Sequence, residues 1–516
     1  MTRKPRTETV ASIDVGSNFL RMLIGEITPT GQINLLEDLW KPTNIGRDTF
    51  THRRIELASI RETCSILQGF ARLMEDYKIK RYRAVATSGL REAENGEYVL
   101  EQIRLQTGLD VEVVNTSQER FIIYKALRDS LPEVKSFRDP GFMVINIGMG
   151  GLEASIYSQG HLRFTEYMKA GSLRLRQVLS DLEHSTLDFP SIIEEFLESK
   201  IYTLKPQITS LKIKHVIGLG GELSAISSIC QDQGLSERED FIDKKALRRL
   251  YNSIRRLTTE QIIDKYELHR NEADILLPSV IIFNKFLDMT LADGLYVPNA
   301  SLRHGLLADM VDERFETSRK QDFQSDIITS VWFLAERFGI DGPHVHQVVK
   351  TALAIYDGTR QLHRLEPRDR FLLEVATILH DVGHFLNSNE HQLYSEQIIR
   401  SSDIMGLSNL DLEIVAGAAR YHSEEIPLPS HPAYSSLNYS DKIRVSKLAA
   451  ILKLAETLDI SHRQKVQKID ISRHKRELLF SLTTRGDTLL EEWSFSGHLD
   501  FFEEVMGYRP VFKRRR

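Results

Sequence analysis

Two glycine-rich stretches carry the residue types best suited to phosphate chemistry. The first reads DVGSN (14–18) and the second reads NIGMGGLE (146–153). Apolar residues alternate on both sides of each stretch, so each glycine turn is predicted to join two β-strands. Two such hairpins that face each other can present backbone N–H groups to one phosphate from both sides. Ordinary hairpin turns are the alternative, and the repetition of the arrangement in two similar parts of the chain argues against it.

The spacing of the glycines excludes two common nucleotide-binding motifs. Residues 148–153 read Gly-Met-Gly-Gly-Leu-Glu, which is not the GxGxxG fingerprint of dinucleotide-binding folds. A P-loop requires Gly-Lys-Ser/Thr at the start of a helix, and neither stretch contains that lysine.

One residue of the second stretch is unexpected. A metal-dependent phosphate site would have an acid where the strand ends, and this chain has Asn146. The amide oxygen can still bind Mg²⁺, but a unit charge lost about 4 Å from the cation weakens the interaction by roughly 4 kcal/mol at an effective dielectric constant near 20. The sequence therefore leaves open an active phosphotransfer site or a phosphate-binding site with impaired chemistry.

The elements that position these stretches follow an α/β pattern as far as about residue 310. β-like runs alternate with helical ones, and residues 9–27 and 141–161 share a strand–turn–strand form. Mostly helical patterns follow, and β-like alternation returns in QKIDIS, ELLFSL and EEWSFSG from about residue 465. The predicted domains are 1–125, 126–311, 312–462 and 463–516.

The composition of the 516 residues limits the classes of function. No apolar run is long enough to span a membrane, and the first residues lack the apolar core of a secretory signal. Two distant cysteines, Cys64 and Cys230, predict a reducing cytoplasm. The net charge of -5 argues against general nucleic-acid binding. Basic residues concentrate in 78–91, either a binding surface or a solvated face, and in the C-terminal KRRR, interpreted as a frayed end.

Six stretches of the first 310 residues resemble the successive motifs of the exopolyphosphatase/guanosine pentaphosphate phosphatase (Ppx/GppA) family. They occur in the family's order and spacing, and they read IDVGSNFLRMLIGEI, ATSGLREAENG, VEVVNTSQER, NIGMGGLE, GLGGELSAI and SLRHGLLADM. The resemblance implies two domains of the actin, sugar-kinase and chaperone-ATPase fold. Further along, ILHDVGHFLNSNEHQLYSEQIIRSSDIMGL, ARYHSEEIP and KLAETLDISHR resemble the family's appended HD-type domain. An all-α HD-like domain and a small C-terminal β-containing subdomain are therefore expected.

The resemblance also implies roles for the residues of the glycine stretches. Phosphate is expected to contact Asp14, Gly16, Ser17, Asn18, Arg21, Gly148, Gly150, Gly151, Glu153, Gly220, Gly221 and Arg303. Mg²⁺ is expected at Asp14, Asn146 and Glu153. Family members read Asp-Ile-Gly-Gly-Gly-Ser-Thr-Glu in the second stretch, so this chain lacks the acid and both hydroxyls. Because backbone N–H donors survive side-chain changes, phosphate binding is expected to outlast rapid hydrolysis.

Glu119 and Arg91 are the catalytic candidates that the resemblance implies. Glu119 matches the glutamate that deprotonates the attacking water, and Arg91 matches an arginine that can grip two phosphate oxygens. From the residues alone, Thr116 to Glu119 also fits a capping box, in which Glu119 only closes the start of a helix. Two departures from the family lie nearby, because Gln118 replaces an acid and Phe19 replaces a small hydroxyl residue.

The helical region contains a second group of candidate metal ligands. HD phosphohydrolases bind metal through a histidine, a His-Asp pair and a later aspartate, and the resemblance places these at His344, His380, Asp381 and Glu456. Glutamate is one methylene longer than the usual aspartate. Three more histidines are close in the pattern, namely His384, His391 and His422. A second divalent metal is one interpretation, and histidines that pack between helices are the alternative.

The predicted function is that of a cytoplasmic, homodimeric phosphohydrolase. It would release terminal phosphate from inorganic polyphosphate or from pppGpp, with Mg²⁺ and a water activated by Glu119. Its expected partners are polyphosphate or a guanosine penta- or tetraphosphate. A polyphosphate- or alarmone-binding protein with weak catalysis is the first alternative, favoured by Asn146 and Leu152. An HD-type metal phosphohydrolase is the second. Neither a membrane partner nor a specific nucleic acid is expected.

Overall fold

The protein forms two compact units, Met1–Phe323 and Gln324–Arg516. The computed structural model describes residues 7–131, 137, 141–158, 161–183, 185–186, 188–220, 222–234, 238, 240–315 and 319–515. Within these residues, no helix combines the length and the apolar character that crossing a lipid bilayer requires. The predicted domain bounds within each unit stay predictions.

The first sheet of the N-terminal unit has five strands in the order β3-β2-β1-β4-β5. They are β1 (Glu8–Val15), β2 (Phe19–Ile27), β3 (Ile33–Pro42), β4 (Arg81–Ala86) and β5 (Val111–Val113). β1 to β3 form an antiparallel meander, and β4 and β5 extend the sheet in parallel with β1. The glycine turn at 16–18 is therefore the first hairpin connection, at the end of a central and largely buried strand.

The second sheet repeats this plan with six strands in the order β10-β11-β9-β6-β7-β8. They are β6 (Phe142–Ile147), β7 (Leu152–Ser158), β8 (His161–Met168), β9 (His215–Leu219), β10 (Phe241–Asp243) and β11 (Gly294–Tyr296). β6 to β8 again form an antiparallel meander, and β9 continues in parallel with β6. The predicted α/β class and the two similar hairpins are confirmed.

Helices cover these sheets and supply the remaining site residues. In the first half they are α1 (Ile45–His52), α2 (Leu57–Asp76), α3 (Ser88–Arg91), α4 (Gly96–Thr107) and α5 (Thr116–Ser130). In the second half they are α6 (Ser172–Val178), α7 (Ser180–Glu183), α8 (Phe189–Ile201), α9 (Lys205–Ser210), α10 (Glu222–Asp232), α11 (Lys244–Ile254), α12 (Thr259–Tyr266), α13 (Arg270–Asp288) and α14 (Leu302–Phe315). α14 packs closely on α5 because a Cβ at Gly305 would lie only 2.0 Å from the Ile122 carbonyl oxygen.

The C-terminal unit is mostly helical, as the sequence predicts. Its helices are α15 (Arg319–Arg337), which begins before the unit boundary, α16 (Gly342–Gly358), α17 (Arg360–His363), α18 (Pro367–Leu379), α19 (His391–Ser401), α20 (Asn409–Arg420), α21 (Pro432–Ser435), α22 (Tyr439–Thr457), α23 (Leu489–Gly497) and α24 (Leu499–Met506). A 3-10 helix spans Val382–Phe385. A small sheet has the order β12-β13-β14, with β12 (Val466–His474), β13 (Glu477–Thr484) and β14 (Arg509–Arg515).

The sequence interpretation of two C-terminal segments is wrong. EEWSFSG, taken as β-like, lies in α23, where Glu491 and Phe495 are buried four residues apart and Trp493 is 72% exposed. That spacing is helical, and the apparent alternation came from the exposed tryptophan. Residues 513–515 of the basic C-terminus, taken as frayed, lie in β14 and pair in parallel with β13, while Arg516 lies outside the described residues.

Candidate active site

The two glycine turns are built alike. In the first, the Gly16 N–H donates to the Phe19 carbonyl oxygen at 3.1 Å, and in the second, the Gly148 N–H donates to the Gly151 carbonyl oxygen at 2.8 Å. Each turn thus closes on its own hairpin.

The turns face a cavity of about 650 Å³. The predicted residues Asp14, Gly16, Ser17, Asn18, Arg21, Glu119, Asn146, Gly148, Gly220 and Arg303 all line it. A smaller adjoining cavity of about 20 Å³ is lined by residues that include Arg91, Glu119, Asn146, Gly151 and Glu153. The structure therefore brings most of the predicted phosphate and catalytic residues together. Gly150 lines neither cavity, and Gly221 lies outside the described residues.

Gly150 allows the second turn to approach the first half. A Cβ at this position would lie 2.6 Å from Phe50 Cζ and 2.7 Å from Ser88 Oγ. The Ser88 hydroxyl is also 3.1 Å from the Ser17 hydroxyl of the first turn. Ser88 thus links both glycine turns and lines both cavities. Any larger residue in place of Gly150 would push the turns apart.

Asp14 is the acid at the end of β1, directly opposite Arg21 in the β1–β2 register. Its Oδ1 is buried and lacks a hydrogen-bond partner among the described residues. Burial raises the pKa of the Asp14 carboxyl, and the positive charges of Arg21 and Arg303 oppose the rise. This oxygen is available to a ligand.

Glu119 does not cap helix α5, although its sequence context allows that role. The N-cap of α5 is Asn115, whose side chain accepts from the Gln118 N–H at 2.8 Å, while the Gln118 side chain accepts from the Asn115 N–H at 3.1 Å. The capping box thus lies one residue earlier than expected. Gln118, which departs from the family pattern, closes it, and the Glu119 carboxylate is left to face the cavity.

The charge of Glu119 is set by its neighbours. Arg91 Nη1 is 3.4 Å from a Glu119 carboxylate oxygen and donates to the Val114 carbonyl oxygen at 2.6 Å. Burial raises the pKa of Glu119, Arg91 opposes this rise, and the negative charges of Asp14 and Glu153 add to it. A carboxylate with a raised pKa is a better base toward water than an ordinary one.

Glu153 is engaged within the protein. Arg120 Nε lies 2.7 Å from Glu153 Oε1, and the two side chains are 3% and 9% exposed. The Ser155 hydroxyl donates to the same Oε1 at 2.9 Å. Arg120 follows Glu119 directly in the chain, and sequence reasoning missed it because nothing in the pattern distinguishes a buried arginine from an exposed one.

The cleft residues do not fit a resident divalent cation held by Asp14, Asn146 and Glu153. Asp14 Oδ1 is an unpartnered carboxylate oxygen, whereas Asn146 is neutral and Glu153 already pairs with a guanidinium through Oε1. A dication about 5 Å from that guanidinium would be repelled by roughly 7 kcal/mol at an effective dielectric constant near 20. Among the described residues, triads of acids, histidines or cysteines close enough to share an ion occur only in the C-terminal unit.

Arginines pair with the other acids of this region. Arg303, expected to meet a phosphate, forms an ion pair with Asp38 at the cavity wall. Arg174, which sequence reasoning also missed, is 2.7 Å from Glu92 and donates from Nε to the Gly150 carbonyl oxygen at 2.5 Å. It therefore ties the second glycine turn to the first half.

Three of the five basic residues in 78–91, namely Arg81, Arg83 and Arg91, pair with acids. Arg81 lies 3.5 Å from Glu8 and 3.7 Å from Glu313. Arg83 lies within 3.5 Å of Glu112 and Asp309. These pairs reduce the attraction that 78–91 offers to a polyanion.

The predicted metal ligands of the C-terminal unit also meet. His344 Nε2 is 3.2 Å from Glu456, and His380 Nε2 is 3.0 Å from the same carboxylate oxygen. Asp381 Oδ2 is 3.8 Å from His344 Nε2 and 3.5 Å from His380 Nε2. Hydrogen bonds to Asp459 and Glu456 outweigh burial and raise the pKa of His344 to about 10.

Asp381 also faces the three additional histidines. Its Oδ1 lies 3.5 Å from His384, 3.7 Å from His391 and 3.7 Å from His422. His422 Nδ1 donates to the Ala419 carbonyl oxygen at 2.6 Å, so its Nε2 carries the lone pair. Burial and the nearby positive charge of His380 lower the pKa of His422 to about 3. Carboxylates and imidazoles arranged in this way fit a divalent transition metal.

Paired glycine turns, a cavity between them and a carboxylate that faces it define a phosphate-handling protein of the actin-like fold. A model of the Ppx/GppA phosphatase family matches residues 24–314. A second model, of domain III of the Ppx/GppA phosphatase, matches residues 328–495. The chain belongs to the Ppx/GppA phosphatase family.

Relatives agree with this assignment. The guanosine-5'-triphosphate,3'-diphosphate pyrophosphatase of Photobacterium profundum is 25% identical over 461 residues, 88% of each chain. The protein of that name from Vibrio parahaemolyticus is 24% identical over the same share. A crystal structure of an exopolyphosphatase from Cytophaga hutchinsonii covers 59% of this chain and 98% of its own, with a TM-score of 0.54 and 17% identity, which shows a common fold.

The Glu119 geometry makes a prediction with a matched control. Glu119→Gln is expected to lower phosphate release by about 10²- to 10⁴-fold, the usual contribution of a general base. Its free energy of unfolding should not fall, because the substitution removes a buried charge. Gln118→Ala, which opens the capping box, should instead lower the free energy of unfolding by about 1 kcal/mol and keep most activity.

Steady-state phosphate release and urea denaturation of the two variants measure both quantities. The reverse pattern, an active but unstable Glu119→Gln, would make Glu119 a helix cap.

Proposed function

We propose that the protein hydrolyses the terminal phosphate of a polyphosphorylated substrate, with Glu119 as the general base. The position of Glu119 carries this proposal, because its carboxylate lines the same cavity as both glycine turns and has a raised pKa. Family membership supports the reaction class.

In this mechanism, the N–H groups of the two turns hold the terminal phosphate. The attacking water approaches in line with the leaving oxygen, and Glu119 accepts its proton as the new P–O bond forms and the phosphoanhydride bond breaks. Arg91 can move its guanidinium from Glu119 to the phosphate oxygens, because its contact with Glu119 is the longer of the two, 3.4 Å against 2.6 Å to the Val114 carbonyl oxygen. This exchange removes the cation that lowers the pKa of Glu119 and so strengthens the base.

Among the candidate substrates, we propose a guanosine pentaphosphate over inorganic polyphosphate. The cavity continues beyond the turns to the third glycine stretch, where apolar residues line it, among them Leu219, Leu223, Ile275, Leu276 and Val297. Apolar walls suit a nucleoside and offer nothing to a chain of phosphates. The ion pairs of Arg81 and Arg83 likewise argue against an extended polyphosphate groove. The Photobacterium and Vibrio relatives carry a guanosine nucleotide in their names, whereas the Cytophaga structure, which is less similar in sequence, is named an exopolyphosphatase.

Filling the far end of the cavity tests this choice. Ser224 is exposed on α10 and lines the cavity. Ser224→Trp should lower kcat/KM for pppGpp by at least about tenfold, since bulk there removes base and ribose contacts, and leave the hydrolysis of inorganic tripolyphosphate unchanged. Ser199→Trp, on the exposed side of α8, is the matched control. Equal losses on both substrates would rule out a nucleoside pocket.

A second candidate function resides in the C-terminal unit, favoured by the two-sided surroundings of Asp381. We propose that His344, His380, Asp381 and Glu456 hold a divalent metal, with His384, His391 and His422 available on the other side. Such a metal, when bound, would lower the pKa of a coordinated water and so could supply hydroxide for phosphoester hydrolysis. His344 Nδ1 is 3.0 Å from Asp459, which orients the ring as second-shell carboxylates do in metal sites.

Elemental analysis tests this metal site directly. The wild-type protein, loaded with Mn²⁺ and then desalted, should retain metal, and His380→Ala should weaken retention by about tenfold or more. His346→Ala is the matched control, because His346 lies on the same helix as His344 but is exposed and stacks on Trp332. A wild type that retains no Mn²⁺, Fe²⁺ or Zn²⁺ would assign these histidines to packing.

The predicted homodimer and cytoplasmic location stay predictions.

A further inference from the structure

The Arg120–Glu153 pair is a buried charge pair beside the phosphate cavities. Arg120 lies in the first turns of α5, and Glu153 lies on β7 directly opposite Asn146. Their side chains are 3% and 9% exposed, and Nε and Oε1 are 2.7 Å apart. At this distance and burial, each charge compensates for the solvent that the other has lost.

The surroundings of Glu153 fix this pair in place. The Ser155 hydroxyl donates to Glu153 Oε1 at 2.9 Å and is 3.0 Å from the Thr165 hydroxyl of the neighbouring strand. Glu153 also lines the small cavity that Glu119 and Asn146 share. The negative charge of Glu153 therefore acts on the cavity in which the proposed function places the terminal phosphate. Arg120 neutralises that charge.

Guanidinium groups lie beside three acids of the cleft. Arg120 neutralises Glu153, Arg91 pairs with Glu119, and the Arg21 charge faces Asp14. Asn146 adds no charge. A phosphate can thus enter beside these acids without a metal to shield it.

We propose that Arg120 is a built-in cation that replaces a divalent metal at Glu153, so that this chain binds the end of a polyphosphate group without Mg²⁺. Arg120 is a positioning residue, because it acts on the ligand through Glu153. The ligand class rests on the proposed function; the metal independence rests on the ion pair alone.

Binding of inorganic tripolyphosphate, measured by calorimetry in EDTA and in excess Mg²⁺, tests the proposal. The wild type should bind within about threefold of the same affinity in both. Arg120→Ala leaves a bare carboxylate near the phosphate, and about 6 Å of separation at a dielectric constant near 20 predicts roughly a hundredfold weaker binding in EDTA. Mg²⁺ should restore much of that loss.

Two companion variants separate charge from folding. Arg120→Lys keeps the cation and should bind without Mg²⁺. The double variant Arg120→Ala with Glu153→Gln removes both charges and should recover metal-free binding, which a merely unstable protein would not do; thermal unfolding checks that each variant is folded.

Two results would overturn the proposal: a wild type that loses tripolyphosphate in EDTA and regains it with Mg²⁺, or an Arg120→Ala variant that binds normally in EDTA. Hydrolysis is measured in a separate assay of phosphate release. A wild type that binds tripolyphosphate in EDTA but hydrolyses no substrate would refute the proposed function and leave this inference standing.

Discussion

The charge of the cleft depends on ion pairs between arginines and carboxylates. Carboxylates gathered around a phosphate site repel one another and the substrate unless cations neutralise them. Here Arg91, Arg120 and Arg303 each contact one of these acids, at Glu119, Glu153 and Asp38. The pairs differ in burial and in the distance between their charged groups. Arg120 and Glu153 are buried and 2.7 Å apart, whereas the contact of Arg91 with Glu119 is longer, at 3.4 Å, and in the proposed mechanism a phosphate replaces it.

The fold supplies the closeness that this pairing requires. Two hairpins of similar plan turn toward each other, and Gly150 allows the second turn to lie against Ser88, which contacts the first. Arg174 then holds the Gly150 carbonyl and Glu92 together. A chain with only one glycine turn would lack the second set of N–H donors. It would also lack the carbonyl oxygen to which an arginine such as Arg174 donates.

The features that depend on a local pattern of residues were predicted from the sequence. Alternation and glycine spacing predicted both hairpins, and the motif order predicted the family and the residues that line the cavity. It failed where partners come from distant parts of the chain. Nothing around Arg120 indicates burial against Glu153, and the capping box was placed one residue late because Thr116 and Asn115 are both good caps. EEWSFSG was misread because one exposed tryptophan mimicked alternation.

The central claim is that the phosphate takes Arg91 from Glu119 and so makes the base stronger. Proton uptake on binding of a non-hydrolysable imido-linked triphosphate, measured by calorimetry in buffers of different ionisation enthalpy over roughly pH 5–7, tests it most directly. A raised Glu119 pKa in the complex means that the wild type should take up part of a proton that Glu119→Gln does not. Identical proton exchange in the two proteins would contradict the account.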